Sequence, residues 1–274
     1  MSAPLSQADL KALQSLIDWW DQAGVETAPV SPAEFRGARS ASPQSRRSPT
    51  KTPAPDQPSF PARATGASAR AAGYGGAPEQ NARDIAAKCT SLADLKAAVE
   101  AFEGCPLKAT ATKTVFARGN PQARLMVVGD LPGREDDRSG APFTGETGAL
   151  MDRMLAAIGL DDTSAYLTTL VFWRPPGARR PSDAEIDSCL PFTERHIELV
   201  NPDCVLLAGD ISAQALLRQR TGITKLRGAW TELTAGGATV PALPIFHPRF
   251  LMQRPQEKAK AWADLLSLKE KLES

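Results

Sequence analysis

The chain of 274 residues is short of the features that mark metal-binding, secreted or membrane proteins. It has two histidines and four cysteines. Cys89, Cys105, Cys189 and Cys204 are scattered with no CxxC pair, so neither a zinc ligand set nor a secreted disulfide frame is readable. Each cysteine reads as a reduced, packed thiol. The net charge is only +1, so no global field draws the chain to nucleic acid, and any such contact must come from a local patch. No apolar run approaches the roughly 20 residues needed to cross a bilayer, and the start MSAPLSQADLKALQ has no apolar signal core. The cytoplasm is the expected address. Apolar residues make up 42%, which is enough for one sizeable core plus extra segments.

Three regions follow from composition and periodicity. Residues 1–25 read as an amphipathic helix over 7–22, capped by Ser6 and stopped at Gly24, with Leu10, Leu13, Ile17 and Trp20 on one stripe. That stripe needs a partner surface, on the main domain or on another protein. Residues 26–84 are dominated by Pro, Ala, Ser, Arg and Gly, with too few large apolar side chains to offset chain entropy, and are expected to form a disordered linker. Arg46, Arg47, Lys51, Arg63 and Arg70 make it basic.

Residues 85–274 alternate strands and helices. The pattern predicts helices over 91–102, 146–158, 212–218 and 256–272, and a further one opened by the capping box Ser182 and Glu185. Strands are predicted over 125–128, 166–172, 204–207 and 242–246. The result is a three-layer α/β/α sandwich around a central, largely parallel four-stranded sheet. Ligands of such sheets bind beyond the carboxyl ends of the strands, where GDLPG, WRPPGARRP and HPRF stand.

Several residues at these ends could carry chemistry. Asp130, directly after an apolar strand, could orient water or face a developing positive charge, or simply cap its turn. Phe143, between small residues in GAPFTG, could stack on a planar ring or fold back onto the core. His247, after ALPIF, could hydrogen-bond a leaving group. His196 lies within a helix and reads as an ordinary packed residue. Arg227, Arg249 and Arg254 supply local positive charge.

Taken in order, these segments resemble the uracil-DNA glycosylases of the iron-sulphur type, family 4, over residues 91–272. The matching residues are Gly129 to Gly133, Asp136 and Asp137, Gly140 to Gly145, Arg174 to Pro176, Arg227 with Gly228, and His247 to Leu251. The resemblance implies a DNA repair enzyme that hydrolyses the N-glycosidic bond of uracil, or a related deaminated base, after flipping the nucleotide out of the stack. Asp130 and His247 would be catalytic. Gly129, Leu131, Asp136, Phe143 and Thr169 would line the base. Arg227, Gly228, Arg249 and Arg254 would hold DNA, with Leu251 and Met252 as the wedge that fills the vacated stack. A monomer is expected, with uracil-containing DNA as its partner.

The departures from the family are specific. Of four cluster cysteines, Cys105 and Cys189 remain, while Phe102 and Trp173 stand in the other two places. No iron-sulphur cluster is expected, because two thiolates cannot hold a group that takes four. Asp130 replaces a Glu, which draws the carboxylate back by one methylene, and Thr169 replaces the Asn that reads the uracil edge. Ala178 replaces another Asn. These changes keep open a second reading, a DNA- or lesion-binding module of the same fold that has lost its chemistry. A small-molecule enzyme is disfavoured because GDLPG lacks the three-glycine dinucleotide fingerprint.

Overall fold

The computed structural model of the chain describes residues 77–274. The helix expected over 7–22 and the linker up to residue 76 lie outside the described residues. The strands are β1 (Ala117–Gly119), β2 (Leu125–Gly129), β3 (Ala165–Thr169), β4 (Cys204–Ala208), β5 (Thr231–Ala235) and β6 (Ala238–Ile245). The α-helices are α1 (Ala77–Lys88), α2 (Leu92–Ala101), α3 (Arg134–Ser139), α4 (Gly145–Ala156), α5 (Asp183–Val200), α6 (Asp210–Leu216), α7 (Ile223–Leu226), α8 (Pro248–Gln253) and α9 (Lys258–Glu273). None of these helices is long and apolar enough to cross a membrane.

The strands form one sheet in the order β1-β3-β2-β4-β6-β5. Its four central strands are parallel, as the strand–helix alternation requires. The sheet has six strands rather than the expected four, because β1 and β5 close its edges antiparallel to β3 and β6. β1 is three residues long and has no periodicity to read. β5 and β6 form a hairpin over Gly236-Gly237, where Gly236 takes φ +58°, the turn chemistry such hairpins favour.

Every residue of β2, β3 and β4 is buried, which is what helices on both faces demand. Met126, Val128, Val205 and Leu207 join one apolar cluster with residues of α1, α2, α5 and α6. Leu125, Val127, Leu206 and Ala208 join another with residues of α4 and α9. The α5 capping box is in place: Ser182 and Glu185 exchange side-chain to backbone bonds at 3.3 and 2.7 Å.

Two further differences have clear causes. Helix α1 begins inside the stretch assigned to the linker. Its buried Ala82 and Ala86 pack in the same cluster as α5 residues, and a stripe of alanines gives no hydrophobic signal strong enough to read. Strand β3 ends at Thr169 rather than 172, because its neighbour β2 ends at Gly129, the last register partner. Leu170 to Trp173 remain buried but continue as bends.

Candidate active site

Asp130 is the first residue past β2. Its Oδ1 accepts two hydrogen bonds from Ser212 on α6, one from the backbone N–H at 2.8 Å and one from the hydroxyl at 2.9 Å. Both donors come from α6, not from the GDLPG turn that carries Asp130. Gly209, at φ +131°, precedes α6, and any Cβ there would overlap the Asp130 carboxylate. Burial pushes the Asp130 carboxyl up to about 6, against the Ser212 donors that pull it down, and the Asp210 charge adds to the rise. Protein crowds the carboxyl, while Asp130 as a residue is half-buried.

His247 ends the strand side of β6 and caps α8. Its Nδ1 accepts from the Arg249 N–H at 3.1 Å, so the neutral ring carries its proton on Nε2. Burial, helped by the Arg249 charge, drives its pKa down to about 3. Near neutral pH the imidazole is therefore an uncharged donor.

Phe143 lies at φ +52°, held by its neighbour. Asp136 accepts from the Thr144 N–H and hydroxyl, both at 2.6 Å, and from the Gly133 N–H at 2.7 Å. Asp136 therefore ties the GDLPG loop to GAPFTG instead of facing a base. Asp137 does the same for the preceding loop, accepting from the Thr112 N–H and hydroxyl at 2.8 Å each. The Phe143 ring lies over Gly129, where a Cβ would come within 2.7 Å of Cζ. It stacks on His247 with centroids 5.7 Å apart and 18° between planes. Only 3% of Phe143 is exposed.

The structure thus brings Gly129, Asp130, Phe143 and His247 to one edge of the sheet. Thr169, opposite Gly129 in the register, joins them, but its hydroxyl donates to the Val171 carbonyl at 2.9 Å. Leu131 is half-buried against the α1, α2, α5 and α6 cluster. Ser212, Gly209 and Asp210 were missed. The run Leu207-Ala-Gly-Asp, an apolar strand followed by glycine and a helix-starting acid, was the available signal.

The residues expected to hold DNA divide sharply. Arg227 is committed elsewhere, with its Nε on Asp264 at 2.8 Å, its Nη2 on the same carboxylate and on the Lys260 carbonyl at 2.6 Å. The Gly228 N–H donates to the Pro244 carbonyl at 3.0 Å. Both therefore pin α9 and β6 rather than reach for phosphate. Leu251 is fully buried among the α4 and α9 side chains, because α8 forms where a loop was expected and turns it inward. Met252 is the exposed apolar tip, at 40%. Arg254 lies over the Phe250 ring at 5.2 Å. The Arg249 guanidinium lies beside Gly133 and has no carboxylate partner among the described residues.

The residues in the four cluster positions are all buried. Cys105 and Cys189 are neighbouring thiols, and burial holds Cys189 well above the usual thiol range. Phe102 packs edge-on against Phe192 at 5.0 Å, and the Trp173 indole donates to the Thr114 hydroxyl at 3.1 Å. Two thiols beside two packed aromatics do not fit a four-thiolate group. Among the described residues no set of three or more His, Cys, Asp or Glu side chains is arranged to take a metal ion.

Comparison with known proteins bears on the family. Residues 116–266 match the model of the uracil DNA glycosylase superfamily. The type-4 uracil-DNA glycosylase of Archaeoglobus fulgidus is 32% identical over 184 residues, which is 66% of this chain and 92% of the relative. That of Thermotoga maritima is 32% identical over 156 residues, 57% of this chain and 80% of the relative. That of Sulfurisphaera tokodaii is 29% identical over 185 residues, 66% and 84% respectively. With the family match spanning more than half its length and the strand-end residues gathered at one edge, the chain belongs to the uracil DNA glycosylase superfamily.

Proposed function

We propose that the protein hydrolyses the N-glycosidic bond of uracil, or a related deaminated base, in DNA and leaves an abasic site. The observation that carries this is the convergence of Asp130, Phe143 and His247 from three distant segments, with His247 fixed as a neutral Nε2–H donor. The target nucleotide leaves the stack and presents its base to the Phe143 edge of the site. As the bond from the sugar C1′ to the base nitrogen breaks, its electron pair passes to the base. His247 Nε2–H donates to the oxygen where that negative charge gathers. Asp130, ionised above its pKa of about 6, faces the cationic sugar and orients the water whose oxygen bonds to C1′. The water proton passes to the carboxylate and then to solvent. No step needs a covalent enzyme intermediate, so the enzyme is monofunctional.

Recognition is looser than an asparagine would give. The Thr169 hydroxyl donates to Val171, so toward a base it can only accept, and one of the two contacts that read the uracil edge is lost. Arg249 grips a phosphate and Met252 fills the vacated stack. The protein works without an iron-sulphur cluster, a reading supported by the two-thiol donor set, and an iron and sulphide assay finding stoichiometric metal overturns it.

One observation favours the second reading, a lesion-binding module without chemistry: Phe143 offers almost no open ring surface. Incubation with uracil-containing single- and double-stranded oligonucleotides, followed by alkali, separates the two. Strand breaks that vanish in Asp130→Asn support the glycosylase. Binding without breaks supports the module.

A further inference from the structure

We propose that Ser212 is a positioning residue for the reaction, its backbone N–H and hydroxyl together fixing the direction in which the Asp130 carboxylate faces the substrate. This inference rests on the reading of Asp130 as the group that faces the sugar and water. Ser212 is fully buried, so its hydroxyl cannot touch DNA. Its hydroxyl donates to Asp130 at 2.9 Å, alongside the backbone bond at 2.8 Å. Ser212 places both of its donors on Oδ1, and the Ile211 backbone N–H acts on the same carboxylate from the same helix start.

The seat is shaped to match. Gly209 has no side chain where the carboxylate lies, and φ +131° is a conformation that other residues rarely adopt. A short acid at a loop entrance would otherwise sample several rotamers. The seat between Gly209 and Ser212 narrows that choice. Misplacing a reacting group by about 1 Å can cost on the order of a hundredfold in rate, so a residue that fixes the carboxylate has a measurable kinetic effect.

The charged surroundings are simple. Asp210 on α6 acts on Asp130, and is itself held by Arg180 at 3.1 Å and by the Ile223 N–H at 2.8 Å. From the other converging elements come neutral His247, at the end of β6, and Arg249 on α8. Loss of the Ser212 hydroxyl therefore removes a stabiliser of the ionised carboxylate, and the Asp130 pKa rises.

The test compares Ser212→Ala and Ser212→Thr on a uracil oligonucleotide across pH. Ser212→Ala is expected to lower kcat about tenfold or more while KM stays within about twofold, and to move the acid limb up by about one pH unit. Ser212→Thr restores both. An acid limb and kcat that stay at wild-type values in Ser212→Ala overturn the proposal, as does a kcat loss that Ser212→Thr cannot rescue with the limb unmoved. If Ser212→Ala does not fold, Ser212→Cys, close in size but a weak donor, takes its place. A second readout does not depend on activity: the 13C carboxyl resonance of Asp130 is titrated in wild type and variant. If the wild type releases no base, the glycosylase reading fails, and the titration still decides the proposal. An upward midpoint in the variant upholds the Ser212 contact, and an unchanged midpoint refutes it.

Discussion

The Phe143 ring and the His247 imidazole lie nearly parallel, 18° apart, with centroids separated by 5.7 Å. A base sandwiched between them would need about 7 Å, twice the base-stacking rise of roughly 3.4 Å. The resting pair is thus closed to insertion, and on the proposed reading a base reaches Phe143 once the pair parts. His247 serves two ends in this arrangement, covering the aromatic floor and presenting Nε2–H beside it.

His247→Ala is expected to lower kcat by about 10² to 10³, the usual cost of losing a donor aimed at developing negative charge. Because the imidazole titrates near pH 3, no limb of the pH–rate profile near pH 6.5 belongs to it. A 15N spectrum between pH 6 and 8 should show a neutral ring protonated on Nε2. A charged ring in that range refutes the assignment.

On the proposed mechanism, Asp130 is expected to set the acid limb. The ionised carboxylate is the active form and its pKa is raised to about 6, so the rate rises as pH increases through 6 and is flat above about 7. Asp130→Asn removes the limb with the activity. Asp130→Glu should also lose rate, by about tenfold or more, because its extra methylene must be placed between Gly209 and Ser212. A limb near pH 4 in the wild type would show that burial does not hold the carboxyl up.

Leu251 and Met252 should separate stability from DNA handling. Leu251→Ala opens a cavity in the α4 and α9 cluster and is expected to cost about 2 to 5 kcal/mol, read in the denaturation midpoint. Met252→Ala leaves that midpoint within about 0.5 kcal/mol and slows excision from duplex more than from single strands, where no stack needs filling. Equal loss on both substrates removes the wedge role.

Arg249 and Arg227 divide in the same way. Arg249→Ala should weaken DNA binding and reduce the slope of log affinity against log salt by about one. Arg227→Ala should leave that slope alone and destabilise the fold by about 3 to 5 kcal/mol, since Asp264, only 2% exposed, would be left without its cation. A salt slope unchanged in Arg249→Ala would move the phosphate contact elsewhere.

The sequence by itself determined the layer order and which strand ends share an edge. Short apolar runs alternating with helices point to the centre of a parallel sheet, and residues placed just past such runs gather at one edge. That is why Asp130 and His247 were legible together, whereas Phe143 joined them only through the family resemblance. Tertiary structure alone decided which polar groups remain free. Arg227 and Arg249 look alike in the chain, yet one meets Asp264 and the other does not. Leu251 and Met252 are adjacent, and only the short helix α8 turns one inward and the other out. Ser212 drew no notice because a serine at a helix start is ordinary until Asp130, 82 residues earlier, is brought within hydrogen-bond reach. Hydrophobic periodicity is local and is written along the chain, whereas the satisfaction of buried polar atoms depends on partners that only folding supplies.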